Sequence, residues 1–148
     1  MIHGTIAWRL TVALCGGLIC VASTGCGHKP KLPPMAEVSG QVTLDGKPLP
    51  RGTVQFVPDT AGGNSGPSAT GNIDSSGHYV LRTAGVEGAV VGRHLVAVES
   101  REEVPSDGIS WSPTLIPETY NNPSASGLKF EVKAGEDNVI NLELISKP

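Results

Sequence analysis

Cysteine is absent from most of this chain. All three thiols, Cys15, Cys20 and Cys26, fall within the first 26 of its 148 residues. No disulfide can therefore staple the remainder, whose core must hold by packing alone. A thiol-free body suits an oxidising compartment. Long apolar runs are absent as well: the uncharged, mostly apolar stretch Leu10 to Ala22 is 13 residues, against the roughly 20 that a membrane-spanning helix needs. Clustered Lys and Arg are missing, and the net charge is a dispersed −3, whereas a nucleic-acid footprint would need a basic patch. Helical periodicity is the last absence. Beyond residue 36 no window of about a dozen residues carries a one-sided apolar stripe, which argues against an α-helical domain.

The first 26 residues are ordered by type. Met1 to Arg9 holds one basic residue and no acid, Leu10 to Ala22 is apolar, and Ser23, Thr24 and Gly25 are small. That succession is the one found in secretory signals. A peptidase cutting ahead of a cysteine needs small neighbours, so Leu14 argues against Cys15 and Ile19 against Cys20. Ser23-Thr24-Gly25-Cys26 resembles the bacterial lipoprotein signal, whose lipobox reads Leu-(Ala/Ser)-(Gly/Ala)-Cys; Ser23 stands where that motif has Leu. The resemblance implies cleavage between Gly25 and Cys26, a diacylglyceryl group on Cys26, and usually an acyl chain on the new amino terminus. One chain, at about 0.8 kcal/mol per buried methylene, anchors only marginally, and two or three anchor stably. Ordinary secretion, with Cys26 left as a free thiol, is the alternative. Residues 1–25 are thus expected to be a signal peptide. Residues 26–36, proline-rich and basic at Lys29 and Lys31, are expected to be a semi-extended tether. Without Arg9 the net charge becomes −4 over 123 residues.

From residue 37 apolar residues alternate with period two in short runs broken by Gly, Asp, Asn, Ser and Pro, which predicts strands and tight turns. Val38, Gly40, Val42 and Leu44 share one face. Asp45-Gly46 predicts a hairpin turn. Val54 and Phe56 share a face of the next strand, which Pro58 ends. Residues 59–67 read as a flexible loop. A second hairpin is expected from residues 68–73 and 78–83 across Asp74-Ser75-Ser76-Gly77, anchored by Ile73, Tyr79 and Leu81, and a fifth strand over 92–100. In a last hairpin, Leu128, Phe130 and Val132 precede the turn Ala134–Asn138, and Ile140, Leu142 and Leu144 follow it. Seven short strands favour a seven-stranded antiparallel β-sandwich over residues 37–148, because a single sheet of that size would leave its apolar face wet. A domain of this length can bury an adequate core without staples.

Three segments carry a family resemblance: VSGQVTLDGKPLPRGTVQFVPD (38–59), TGNIDSSGHYVLRT (70–83) and GVEGAVVGRHLVAVES (85–100). They resemble the carboxypeptidase regulatory-like, or transthyretin-like, domains of small bacterial lipoproteins. Those have a Gly-x-Val strand, an Asp-Gly-x-Pro turn and an Asp-x-x-Gly-x-(Tyr/Phe) hairpin. IPETYNNPSASGLKFEV (116–132) resembles the segment before their last hairpin. The resemblance spans roughly 37–146 and implies a prealbumin-like sandwich; turn and strand signatures speak for fold rather than chemistry. Enzymes of related fold hydrolyse 5-hydroxyisourate and end in Tyr-Arg-Gly-Ser, where this sequence ends Leu-Ile-Ser-Lys-Pro. Certain iron dioxygenases bind metal through closely spaced Tyr and a His-x-His pattern, which Tyr79, Tyr120, His28, His78 and His94 do not reproduce. No enzymatic activity, metal or cofactor is expected.

Local motifs have plain readings beside their chemical ones. Gly62–Pro67, GGNSGP, is similar to the nucleophile loop of trypsin-like proteases. That mechanism also needs a histidine base and an orienting carboxylate, and His78 and His94 lack the family's surroundings, so a glycine-rich loop is the better account. Asn72, Asp74 and Ser76 match the first half of a calcium loop, but its twelfth position is Thr83 where a bidentate Glu is required. A hairpin turn held by Asx and Ser side chains explains them. The irregular stretch 101–126 contains Trp111 and Tyr120. A loop of that length is often functional, and an aromatic on it can stack against a sugar or a partner's apolar side chain; capping the open edge of the sandwich is the structural alternative. The expected protein is a membrane-anchored lipoprotein on the periplasmic or outer face of the cell envelope, serving as a non-enzymatic structural or interaction module. Its expected partners are the membrane, through the anchor, and envelope proteins or glycans, with no nucleic acid. A glycan- or peptide-binding module using Trp111 and Tyr120 is the alternative.

Overall fold

The computed structural model describes residues 32–102 and 112–147. Gly25 and Cys26, the predicted signal peptide and Trp111 lie outside them. Period-two patterning produces the expected strands. In chain order these are β1 (Met35–Ala36), β2 (Val38–Leu44), β3 (Lys47–Pro48), β4 (Gly52–Pro58), β5 (Ala69–Ile73), β6 (His78–Val80) and β7 (Arg82–Thr83). After them come β8 (Val86–Glu87), β9 (Ala89–Val90), β10 (Gly92–Glu99), the short 3-10 turn η1 (Glu118–Asn121), β11 (Lys129–Val132), β12 (Asn138–Val139) and β13 (Leu142–Leu144). Among the described residues the molecule is all-β, with no closed barrel.

The larger sheet has the order β11-β10-β4-β5-β7-β8 and is antiparallel throughout. A smaller sheet is built on β2, which pairs antiparallel with β3 and β6 and parallel with β12 and β13. Strands β1 and β9 form a two-stranded ribbon, so pairing begins at Met35, just ahead of the boundary at 37 expected from composition. Inward faces of both larger sheets meet in one core: Val38, Val42, Tyr79, Leu142 and Leu144 from one, Val54, Phe56, Val96, Val98 and Val132 from the other. Burial of each such side chain contributes about 1.5–3 kcal/mol.

Each expected turn forms, but only one makes a simple hairpin. Asp45 (φ 50°) and Gly46 (φ 78°) both adopt the left-handed conformation of a type I′ turn and pair Leu44 with Lys47. The Asp74 turn closes, with Asp74 N–H donating to His78 O at 2.9 Å. β6 then leaves β5 for β2, and the two runs meet again only at Thr70 and Arg82.

The last expected hairpin is not one. β11 pairs with β10, whereas β12 and β13 pair with β2. Asn138 makes the change of sheet: its Oδ1 accepts from Lys133 N–H (2.8 Å) while its Nδ2 donates to Glu136 O (3.0 Å), Lys133 O and Glu37 O (both 3.1 Å). The loop 59–67 is also more tightly built than its composition suggests. Asp59 O accepts from Gly62 N–H (3.1 Å) and Asn64 N–H (3.0 Å), and Asn64 Nδ2 donates to Arg93 O on β10 at 2.9 Å.

Candidate functional site

The alternation that sends Val54 and Phe56 into the core turns Thr53 and Gln55 to the opposite face of β4. Register then aligns them with neighbours on both sides. Glu99, Thr53 and Asn72 form one row across β10, β4 and β5, and Ala97, Gln55 and Thr70 form the next. Over these rows lies a cleft of about 230 Å³, lined by the same Thr53, Gln55, Thr70, Ala97 and Glu99 and by Asn121 of η1. The Asn121 Oδ1 is buried and has no hydrogen-bond partner among the described residues. A second cleft, of about 420 Å³, opens where β5 and β6 part; it shares Thr70 and adds Asn72, Asp74, His78, Val80 and Arg82. Two exposed ion pairs flank the clefts, Arg82 with Glu87 at 2.7 Å and Arg101 with Glu99 at 2.8 Å. Pairs this exposed are worth at most about 1 kcal/mol each.

The candidates from sequence fall elsewhere. Tyr120 is 7% exposed, and its hydroxyl accepts from Ile145 N–H at 3.2 Å. The ring therefore fastens η1 to the core and is not offered to a ligand, which is the structural role set against the binding one. Asp74 Oδ1 accepts from the Ser76 hydroxyl (2.6 Å), Ser76 N–H (2.8 Å) and His78 N–H (3.0 Å). Those bonds, the hydroxyl's first, hold its carboxyl below the usual carboxylate range. Thr83, at the twelfth position of the supposed calcium loop, is buried and donates its hydroxyl to Gly88 O at 2.8 Å. Among the described residues no group of three or more His, Cys, Asp and Glu side chains is placed to hold a metal ion. Nor, among them, is any helix long and apolar enough to cross a membrane.

The two described histidines differ. His78 is exposed on β6, while His94 is buried on β10 beside the Phe56 ring, with centroids 5.8 Å apart. Its Nδ1 lies 2.9 Å from Gly92 O; a carbonyl only accepts, so Nδ1 carries the proton and Nε2 is left a buried acceptor without a partner. Burial pushes the imidazole pKa down.

The cleft residues Thr53, Gln55, Thr70 and Asn72 had one signal in the sequence, their place at outward positions of alternating strands. What brings them together is cross-strand register, which alternation alone does not specify. No protein-family model, curated protein or solved structure matches the chain.

Proposed function

We propose that this protein is a cell-envelope lipoprotein: a non-enzymatic β-domain held at a membrane by acyl chains on Cys26. The observation that carries the reading is the placement of the thiols. All three precede residue 27, and only Cys26 follows a run of small residues at the foot of the apolar segment. The first paired residue of the domain is Met35. Residues 26–36, proline-rich and basic at Lys29 and Lys31, have the composition of a tether between such an anchor and the domain. The domain itself is a seven-stranded sandwich of the transthyretin-like kind. Support comes from the single core shared by the two larger sheets, with the short strands β1, β3, β8 and β9 as edge pieces and β6–β7 and β12–β13 each counting as one interrupted strand.

A structural or interaction role fits how the reactive side chains are used. His94 is enclosed in the core, and Asp74 spends its carboxylate on a turn. The test is Cys26→Ser in the native host. Palmitate incorporation is expected to disappear and the chain to move from the membrane to the soluble fraction. Unchanged fractionation of that variant would refute the anchor.

A further inference from the structure

The outer face of the larger sheet is unlike an ordinary solvated face. On β11 the exposed positions carry charge, Lys129 and Glu131. On β4 and β5 four neighbouring outward positions, Thr53, Gln55, Thr70 and Asn72, are hydroxyls and carboxamides, flanked on β10 by Ala97 and Glu99 and followed towards β11 by Leu95 and Val57. The side chains of Thr53, Gln55, Thr70 and Asn72 have no hydrogen-bond partner among the described residues. Asn121 overhangs them with a buried and equally unpartnered carbonyl oxygen. Buried polar atoms in native proteins are nearly always paired, and an exception calls for a ligand, water or ion.

We propose that the two adjoining clefts form one groove that binds a short neutral saccharide. Hydroxyl and carboxamide groups both donate and accept, as sugar hydroxyls require of their partners. Charge excludes the nearest rivals. Asp74 on the wall disfavours an anionic ligand, and the other acid and the arginine are already paired, Glu99 with Arg101 at 2.8 Å and Arg82 with Glu87 at 2.7 Å. A peptide docking as an added strand needs free backbone groups, but β4 is paired along its length, to β10 on one side and β5 on the other. The smaller cleft therefore offers side chains and no strand edge; at the larger one β6 pairs only with β2 and β5 meets β7 at Thr70 and Arg82 alone, so an added strand there is the rival that the titration separates. Apolar contact comes from the Ala97 methyl on the floor of one cleft and from Val80, 41% exposed, on the wall of the other; these can meet the C–H face of a pyranose. The larger cleft, about 420 Å³, lies within the roughly 300–1,000 Å³ range of small-ligand pockets. The smaller one adjoins it through Thr70, so the occupant extends beyond one sugar unit.

None of the groove's residues belongs to the predicted signal or tether, so Cys26→Ser would release the chain from the membrane and leave saccharide binding intact. The test uses the full chain, isotope-labelled, in a detergent that carries no sugar headgroup, titrated with cellohexaose, chitohexaose and maltohexaose. At least one is expected to shift the backbone amide signals of Thr53–Gln55, Thr70–Asn72, Glu99 and Asn121. Gln55→Ala with Thr70→Ala is expected to weaken that binding about tenfold or more, with the circular dichroism spectrum unchanged. Should the double variant not fold, the pattern of shifts in the parent chain decides. Shifts confined to other surfaces, no response to any of the three sugars, binding undiminished in a folded variant, or preferential binding of an extended peptide or of heparin would each overturn the proposal.

Discussion

The parallel pairing of β2 with the last strands is broken between Val139 and Leu142, and removing one oxygen atom there should reveal how the break is held. Ile140 and Asn141 leave the ladder at this point, since β12 ends at Val139 and β13 begins at Leu142. Side chains repair it. The Tyr79 hydroxyl donates to Ile140 O at 2.7 Å, and Asn141 Oδ1 accepts from Gln41 N–H at 3.0 Å. Tyr79 is 1% exposed, and burial holds its proton on well above the ordinary phenol range, so the hydroxyl donates at any pH at which the protein would be handled.

Tyr79→Phe keeps the ring and deletes the donor, leaving a buried carbonyl unpaired at a cost of about 1–3 kcal/mol. At roughly 3–6 °C per kcal/mol for a domain of this size, the melting temperature should fall by several degrees. The loss should not vary between about pH 6 and pH 9, because neither state of the hydroxyl titrates there. Thermal and urea denaturation followed by circular dichroism measure the loss, and faster exchange of the Ile140 amide, which donates to Ser39 O at 2.8 Å, would localise it. Stability within about 0.5 kcal/mol of the parent, the range of an ordinary surface change, would mean that Ile140 O has another donor and that Tyr79 does not bridge the break.

Two further outcomes follow from neighbouring groups. Gly40 faces the same break, and a Cβ there would fall on the Ile140 carbonyl and press on the Tyr79 ring; Gly40→Ala should cost at least the roughly 1–3 kcal/mol of overpacking. The double change with Tyr79→Phe should fall short of additivity by about 0.5 kcal/mol or more, as a urea double-mutant cycle would show, whereas strict additivity would separate the two residues. His94 gives a pH dependence: its folded pKa is depressed by burial beside Phe56, so the unfolded chain takes up the proton first as pH drops. The stability due to neutral His94 is complete above about pH 6.5 and is lost as pH falls from there towards the folded value. Melting temperature should therefore decline from about pH 7 to pH 5 in the parent and flatten in His94→Gln, and a level profile in the parent would contradict the burial argument.

Alternation made the inward faces legible. Val38, Val42, Val54, Phe56, Tyr79, Leu81, Val132, Leu142 and Leu144 are all expected inward and all lie in the core. The type I′ turn was equally legible, since its chemistry is confined to Asp45 and Gly46. Sheet membership was not. Strands β11 and β13 point apolar side chains at one core from opposite sheets, and a hairpin lying in one sheet would show the same period of two. The bond that separates the cases is remote, because Asn138 Nδ2 reaches Glu37 O across 101 positions of the chain.

The same distinction divides the two functional readings. An acylation signal is a local string read by a peptidase and a transferase in an extended chain, so Ser23-Thr24-Gly25-Cys26 can carry its meaning without a fold. The groove exists only when β10, β4 and β5 are in register: a slip of one residue in β4 would turn Thr53 and Gln55 inward and expose Val54 and Phe56. Core packing therefore selects the register, and the outward polar block is set by it. Thr70 and Gln55 are free to be hydroxyl and amide because the inward partners on their strands, Ala69, Val54 and Phe56, already decide the alignment. Exchanging outward residues should accordingly alter what the face binds while leaving the fold in place, and exchanging inward ones should lose both together.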